Sequence, residues 1–175
     1  MLLALDAAIA SLRAEAPELG WTSAPSRHLT LKFLGEVAAD RRVALTHALD
    51  DVARARMAFT IHLSQVGAFP SFQRARVLWL GVGPEPRLEL LQHDLELRML
   101  ELGFELEGRA FRPHITLARV RDVPERERMR RLARVARKVD FSDSAEVAEL
   151  VLFESMLATA GARYRRIHAA TFGGR

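Results

Sequence analysis

The chain has 175 residues, 49% of them apolar, with a formal charge of +4 and no cysteine. It is long enough for one large domain or two interlocked lobes, and it excludes disulfides and thiolate metal sites. No apolar run approaches the ~20 residues of a membrane span. The opening Met1-Leu2-Leu3-Ala4-Leu5-Asp6 meets an acid too soon for a signal peptide, so the expected location is the cytoplasm.

Leu2, Leu5, Ile9 and Leu12 recur at helical spacing, so residues 2–15 read as an amphipathic helix that Pro17 and Gly20 end. Pro25 leads into His28-Leu-Thr-Leu-Lys-Phe-Leu34, a strand closed by Gly35. A second helix spans 40–57 on the stripe Leu45, Leu49, Val52 and Met57. Phe59 to Val66 alternates as a strand, 67–71 is a loop, and 77–82 is a buried strand stopped by Gly83-Pro84. Leu88, Leu91, Leu95 and Leu102 mark a third helix before Gly103. Residues 104–109 read as a strand, and Pro113 leads into another from His114 to Val120. A strongly basic helix covers 124–138, a strand covers 146–157, a turn falls at Ala160-Gly161, and 164–169 returns. Helices mixed with hairpins predict an α+β fold with largely antiparallel sheets flanked by helices.

Two segments read almost alike: His28-Leu29-Thr30-Leu31 and His114-Ile115-Thr116-Leu117. Six histidines and seven threonines in this length would give about 0.24 His-x-Thr triplets by chance, so a matched pair is informative. The motifs lie 86 positions apart, each after a proline and before a helix, which predicts an internal duplication with one motif per lobe. On a strand, residues two apart share a face about 6.7 Å apart. Each histidine then stands beside its threonine, with Leu29, Leu31, Ile115 and Leu117 turned to the core. Lobes related by a pseudo-twofold would bring the two imidazoles together across a central groove.

That geometry suits in-line displacement at phosphorus. One imidazole removes a proton from water and the other protonates the departing oxygen, and a free imidazole pKa of about 6.5 serves both roles. Thr30 and Thr116 can donate to non-bridging oxygens, and Arg119 can add a charge-assisted contact. No metal or cofactor is needed. Threonine is a poor zinc ligand, and no carboxylate or third histidine stands at a fixed spacing nearby. The competing reading is a pair of core histidines that happen to sit on strands.

These residues resemble the two-histidine phosphoesterases, and within them the RNA 2′,3′-cyclic phosphodiesterases, also called 2′-5′ RNA ligases. The resemblance runs through Trp21, His28 to Val37, Val66-Gly-Ala-Phe-Pro70, Val77-Leu-Trp-Leu80, Phe111-Arg-Pro-His-Ile-Thr-Leu-Ala-Arg-Val120, Leu152-Phe-Glu-Ser155 and Gly161-Ala-Arg-Tyr164. It implies a bilobal α+β fold spanning 1–175, with a groove between the two motifs. The implied activity is hydrolysis of RNA 2′,3′-cyclic phosphate ends to 2′-phosphates, with ATP-independent 2′-5′ ligation as the reverse. By the same resemblance His28 is the proton donor and His114 the acceptor, and Thr30, Thr116 and Arg119 hold the phosphate. The expected partner is RNA with a cyclic phosphate end, tRNA fragments included, and the expected state is a monomer. A non-catalytic RNA or nucleotide binding module, or a phosphodiesterase for a small cyclic nucleotide, is the alternative.

One departure stands out. The family opens with a strand like Arg-Leu-Phe-x-Ala, whereas here the residues before Trp21 read as the helix alone, which predicts an unpaired sheet position. Among weaker signals, only Lys32 and Lys138 of the 26 basic residues are lysines, which suits RNA but equally fits a codon bias. The basic helix reads as an RNA contact or, better, as a solvated face. Phe69 and Phe72 flank Pro70 on a loop, where they either stack on a base or anchor the loop. His62 faces solvent.

Overall fold

The computed structural model describes residues 2–121, 125–158 and 161–174. In chain order the elements begin with α1 (Leu2–Ala8), α2 (Ala10–Glu15), β1 (Gly20–Trp21), α3 (Arg42–Arg54) and β2 (Phe59–Phe69). They continue with β3 (Val77–Val82), α4 (Pro86–Glu101), β4 (His114–Arg119), α5 (Arg126–Ala136), β5 (Ser142–Val147), β6 (Glu149–Ala158) and β7 (Gly161–Thr171). The chain divides into two compact units, each built from three segments. The first unit takes Met1–Leu29, Ile61–Pro84 and Pro113–Ala145; the second takes Thr30–Thr60, Glu85–Arg112 and Glu146–Arg175. Among the described residues no helix is long and apolar enough to cross a membrane.

The first unit holds most of a five-stranded sheet of order β1-β4-β3-β2-β5. Its buried side carries Leu63, Leu78, Leu80 and Leu117, all fully buried. The expected helix over 2–15 forms with a local break at Ile9. The bonds Ile9 N–H to Leu5 O and Arg13 N–H to Ile9 O, both 3.0 Å, carry the helical pattern through the break, and Leu5, Ile9 and Leu12 are buried as one stripe. α5 packs on α2 and on a 3₁₀ turn at Phe72–Arg74. Arg128 reaches Glu18 at 2.7 Å and Arg131 reaches Glu15 at 2.8 Å, so the basic helix spends part of its charge on its own unit.

The strand expected over 28–34 does not form. β1 occupies the free edge of β4 through Gly20↔Arg119 and Trp21↔Ala118, and Thr22 N–H continues to Leu117 O. The chain then leaves the sheet through a 3₁₀ turn at Ala24–Ser26, where Pro25 has no N–H for a ladder. It returns for one antiparallel bridge, Leu29↔Ile115.

In the second unit α3 packs on α4 and on the β6–β7 hairpin. α4 opens with Pro86 behind an Asx-like cap from Glu85 and closes on Gly103 at φ +81°, a left-handed position that favours glycine. The segment after Leu29 is held by a side chain. Lys32 Nζ donates to Glu96 Oε2 at 2.6 Å and to Glu105 O at 2.7 Å, while Glu107 N–H and Gln92 Nε2 also donate to Glu96. These bonds use the backbone of 105–107, and the strand expected over 104–109 is irregular. Two further bounds differ. β2 runs through Phe69, absorbing most of the expected loop, and the strand expected over 146–157 breaks at Ala148 into β5 and β6, which join different sheets. Ala160 of the expected turn and Pro124 of the expected basic helix lie outside the described residues.

Candidate active site

Along β4 the faces alternate: Ile115 and Leu117 are buried, while His114 and Thr116 are half-buried on the other side. On β3, Gly81 pairs with His114 and Trp79 with Thr116, but Leu78 pairs with Ala118. Leu117 is therefore an extra residue, a β-bulge. Its effect is to bury Leu117 and Ala118 in succession and to return Arg119, paired with Val77, to the face of His114 and Thr116. Strict alternation would send Arg119, three positions after Thr116, to the opposite face.

The first motif reaches the same face by its single bridge. With Leu29 opposite Ile115, His28 falls opposite Thr116 and diagonal to His114, a relation that separates backbone positions by about 7–8 Å. Both histidines thus fall in the first unit. Thr30 is exposed and begins the second unit.

His28 Nδ1 lies 2.9 Å from Ser26 O. A carbonyl only accepts, so Nδ1 carries a proton and any proton the ring gives away sits on Nε2. The preceding residue, Arg27, has a side chain only 1% exposed and donates to Asp6 Oδ1 of α1 at 2.5 Å; Arg13 reaches the same oxygen at 3.3 Å. The Arg27 hydrogen bond, with the charges of Arg27 and Arg13, holds the Asp6 carboxyl below the usual carboxylate range against the opposing effect of burial. Sequence reasoning missed Asp6 and Arg27. Its only available signal was an arginine next to a motif histidine.

His114 rests against an aromatic ledge. The Phe69 ring meets it edge-on at 5.0 Å and 84°, and Phe69 lies 5.1 Å from Trp79. The Trp79 ring lies flat over Gly67, where a Cβ would fall 2.1 Å from a ring carbon, so only glycine leaves room for it. Phe69 therefore sits in β2 and packs on the motif histidine, not on the expected loop, while Phe72 lies in the 3₁₀ turn against α5. His62 is exposed as expected, with Nδ1 3.1 Å from Ser144 Oγ. Among the described residues no group of three or more His, Asp or Glu is placed to hold a metal.

An α+β fold that brings two matched His-x-Thr histidines to one sheet face defines the two-histidine phosphoesterase class. Within it, the chain belongs to the 2′-5′ RNA ligase superfamily, whose family model matches residues 3–156. It is 32% identical over 142 residues to the RNA 2′,3′-cyclic phosphodiesterase of Aeropyrum pernix, covering 81% of this chain and 79% of that one. The Escherichia coli protein of the same name is 35% identical over 150 residues, covering 85% and 77%. Among solved structures, E. coli LigT complexed with 3′-AMP superposes with a TM-score of 0.69 at 29% identity, covering 94% of this chain and 88% of that one. TT0787 of Thermus thermophilus shares the fold, with a TM-score of 0.77 at 24% identity over 97% and 92% of the two chains.

Proposed function

We propose that this protein hydrolyses RNA 2′,3′-cyclic phosphate ends to 2′-phosphomonoesters. The observation that carries the reading is the Leu29↔Ile115 bridge, which makes His28 and His114 diagonal neighbours on one face. His114 accepts a proton from the attacking water as the new P–O bond forms. His28 gives its Nε2 proton to the 3′ oxygen as the P–O3′ bond breaks, leaving a 3′-hydroxyl and a 2′-phosphate. The threonine two residues after each histidine, Thr30 and Thr116, donates to the non-bridging oxygens, and Arg119 offsets the charge that develops there. With a 5′-hydroxyl in place of water as the attacking group, His114 takes its proton and His28 again protonates the departing 3′ oxygen, which joins RNA in a 2′-5′ linkage. The activity for which the relatives are named supports the substrate class, and tRNA fragments with cyclic ends in the cytoplasm fit it. His28, His114, Thr116 and Arg119 all come from one unit of one chain, which supports action as a monomer.

The test is hydrolysis of uridine 2′,3′-cyclic phosphate with identification of the product. His28→Ala and His114→Ala should each lower kcat by about 10²–10⁴-fold, the usual contribution of a positioned acid or base, with circular dichroism unchanged. The wild-type rate should survive excess EDTA and follow a bell-shaped pH profile. A folded single variant with wild-type kcat, or a 3′-phosphate product, would overturn the reading.

A further inference from the structure

Among the described residues of the second unit, six arginines are neutralised locally. Arg54, Arg56, Arg87, Arg98, Arg165 and Arg166 each lie against a carboxylate. One end of the first unit's sheet is different. Arg74 and Arg76 lie in the β2–β3 connection, and Arg119 and Arg121 lie where β4 leaves the sheet; all four are exposed. The backbone holds them together: Val77 pairs with Arg119, and Val120 N–H donates to Arg76 O at 2.9 Å. Arg74 ends the 3₁₀ turn on which α5 packs, and that helix begins with the exposed Arg126. Among the described residues none of these arginines forms an ion pair with a carboxylate. α5 spends other charges elsewhere: Arg128 pairs with Glu18 and Arg131 with Glu15, toward α2 and the turn after it, and Arg130 and Arg134 pair with Glu127 within the helix.

We infer that this arginine ridge grips the RNA strand leading away from the reacting end, a step that rests on the proposed activity. Arg119 links the ridge to the site, because the bulge puts it on the face of His114 while its neighbours Arg76 and Arg121 continue the positive charge past the end of the sheet. A single strand whose terminal phosphate sits between the histidines meets that ridge with its next phosphates. Exposed guanidinium groups bind such a backbone through charge and counterion release, without reading sequence. The protein should then prefer an oligonucleotide to a mononucleotide with the same cyclic end.

The test is the triple variant Arg74→Gln, Arg76→Gln, Arg121→Gln, assayed on uridine 2′,3′-cyclic phosphate and on an oligoribonucleotide of about ten nucleotides with the same cyclic end. KM for the oligonucleotide should rise about tenfold or more at low salt, and its log–log salt dependence should become shallower by about 2, since each contact to a single strand contributes about 0.7. kcat/KM for the mononucleotide should stay within about twofold. An unchanged oligonucleotide KM, or an equal loss on both substrates, would overturn the inference. Should the wild-type protein turn over neither substrate, the catalytic reading fails alone. Fluorescence anisotropy of a labelled ten-nucleotide RNA with a 2′-phosphate end then reads the ridge: a tenfold weaker Kd in the triple variant supports it, and an equal Kd overturns it. Phosphatidylserine vesicles or polyglutamate that displace the RNA at equal charge concentration would also overturn the assignment to RNA.

Discussion

Asp6 shows how a single side chain steadies the site from a distance. It is the described partner of Arg27, a guanidinium buried beside His28 whose Nε and Nη1 find no other acceptor among the described residues. Asp6→Asn leaves a buried charge without its counterion, and breaking such pairs costs about 3–5 kcal/mol; the partial exposure of Asp6 puts the expected loss at the lower end of that range. The sign with pH follows from the lowered carboxyl. Its stabilisation is present above the ordinary Asp range near 3.9 and is lost as pH falls through the lower native value. Urea unfolding should show a constant gap between wild type and Asp6→Asn from about pH 5 to 8, closing below about pH 4. A gap that widens in acid would refute this account. The pair was not legible in the sequence, because its partners are 21 positions apart and follow no period. The motif histidines were legible, since a period of two needs only local spacing. The facing of Arg119 was not: Leu117-Ala118 reads as an ordinary apolar run, and nothing in two small apolar residues announces a bulge.

At the scale of elements, the segment after His28 departs from its sequence pattern for a physical reason. Leu29, Leu31 and Phe33 alternate with polar residues as a half-buried strand does, yet Phe33 is 78% exposed and the Lys32 side chain only 6%. Glu96, the buried charged residue of α4, captures Lys32 from 64 positions away, and three further backbone and amide contacts complete the network. A fully satisfied buried pair outweighs an alternation pattern, because leaving either charge alone is costly. Lys32→Met should therefore destabilise by about 3–5 kcal/mol, and Lys32→Met combined with Glu96→Met should recover most of it, since a hydrophobic pair of similar volume removes the stranded charge. Urea midpoints of the three proteins check this, and a double variant no more stable than Lys32→Met would refute it. The ends of α4 were legible because Pro86 and Gly103 mark a helix start and stop by backbone chemistry alone.

At the scale of the whole molecule, the helix and hairpin pattern was enough to give the α+β class, but unit membership was not legible. The backbone passes between the units after Leu29, Thr60, Pro84, Arg112 and Ala145, so neighbours in one unit come from distant parts of the chain. β1 meets β4 across almost 100 positions. Closing such loops comes before any contact rewards it, so refolding belongs to the slow, millisecond-to-second class. Fragments 1–84 and 85–175, expressed separately, each hold parts of both units and complete neither. Neither should show a cooperative thermal transition by circular dichroism. A cooperative transition in either fragment would refute the view that all three segments are needed.

The same five passages limit how variation can be exchanged between relatives. A chimera with a single junction always hybridises the interior of at least one unit, because no single cut separates one unit from the other. Transplanting the histidine-bearing unit whole requires all five junctions at once. Recombination in this fold therefore tests the compatibility of packed interiors, and sequence blocks shuffled between relatives should survive best when a donor block and its spatial neighbours travel together.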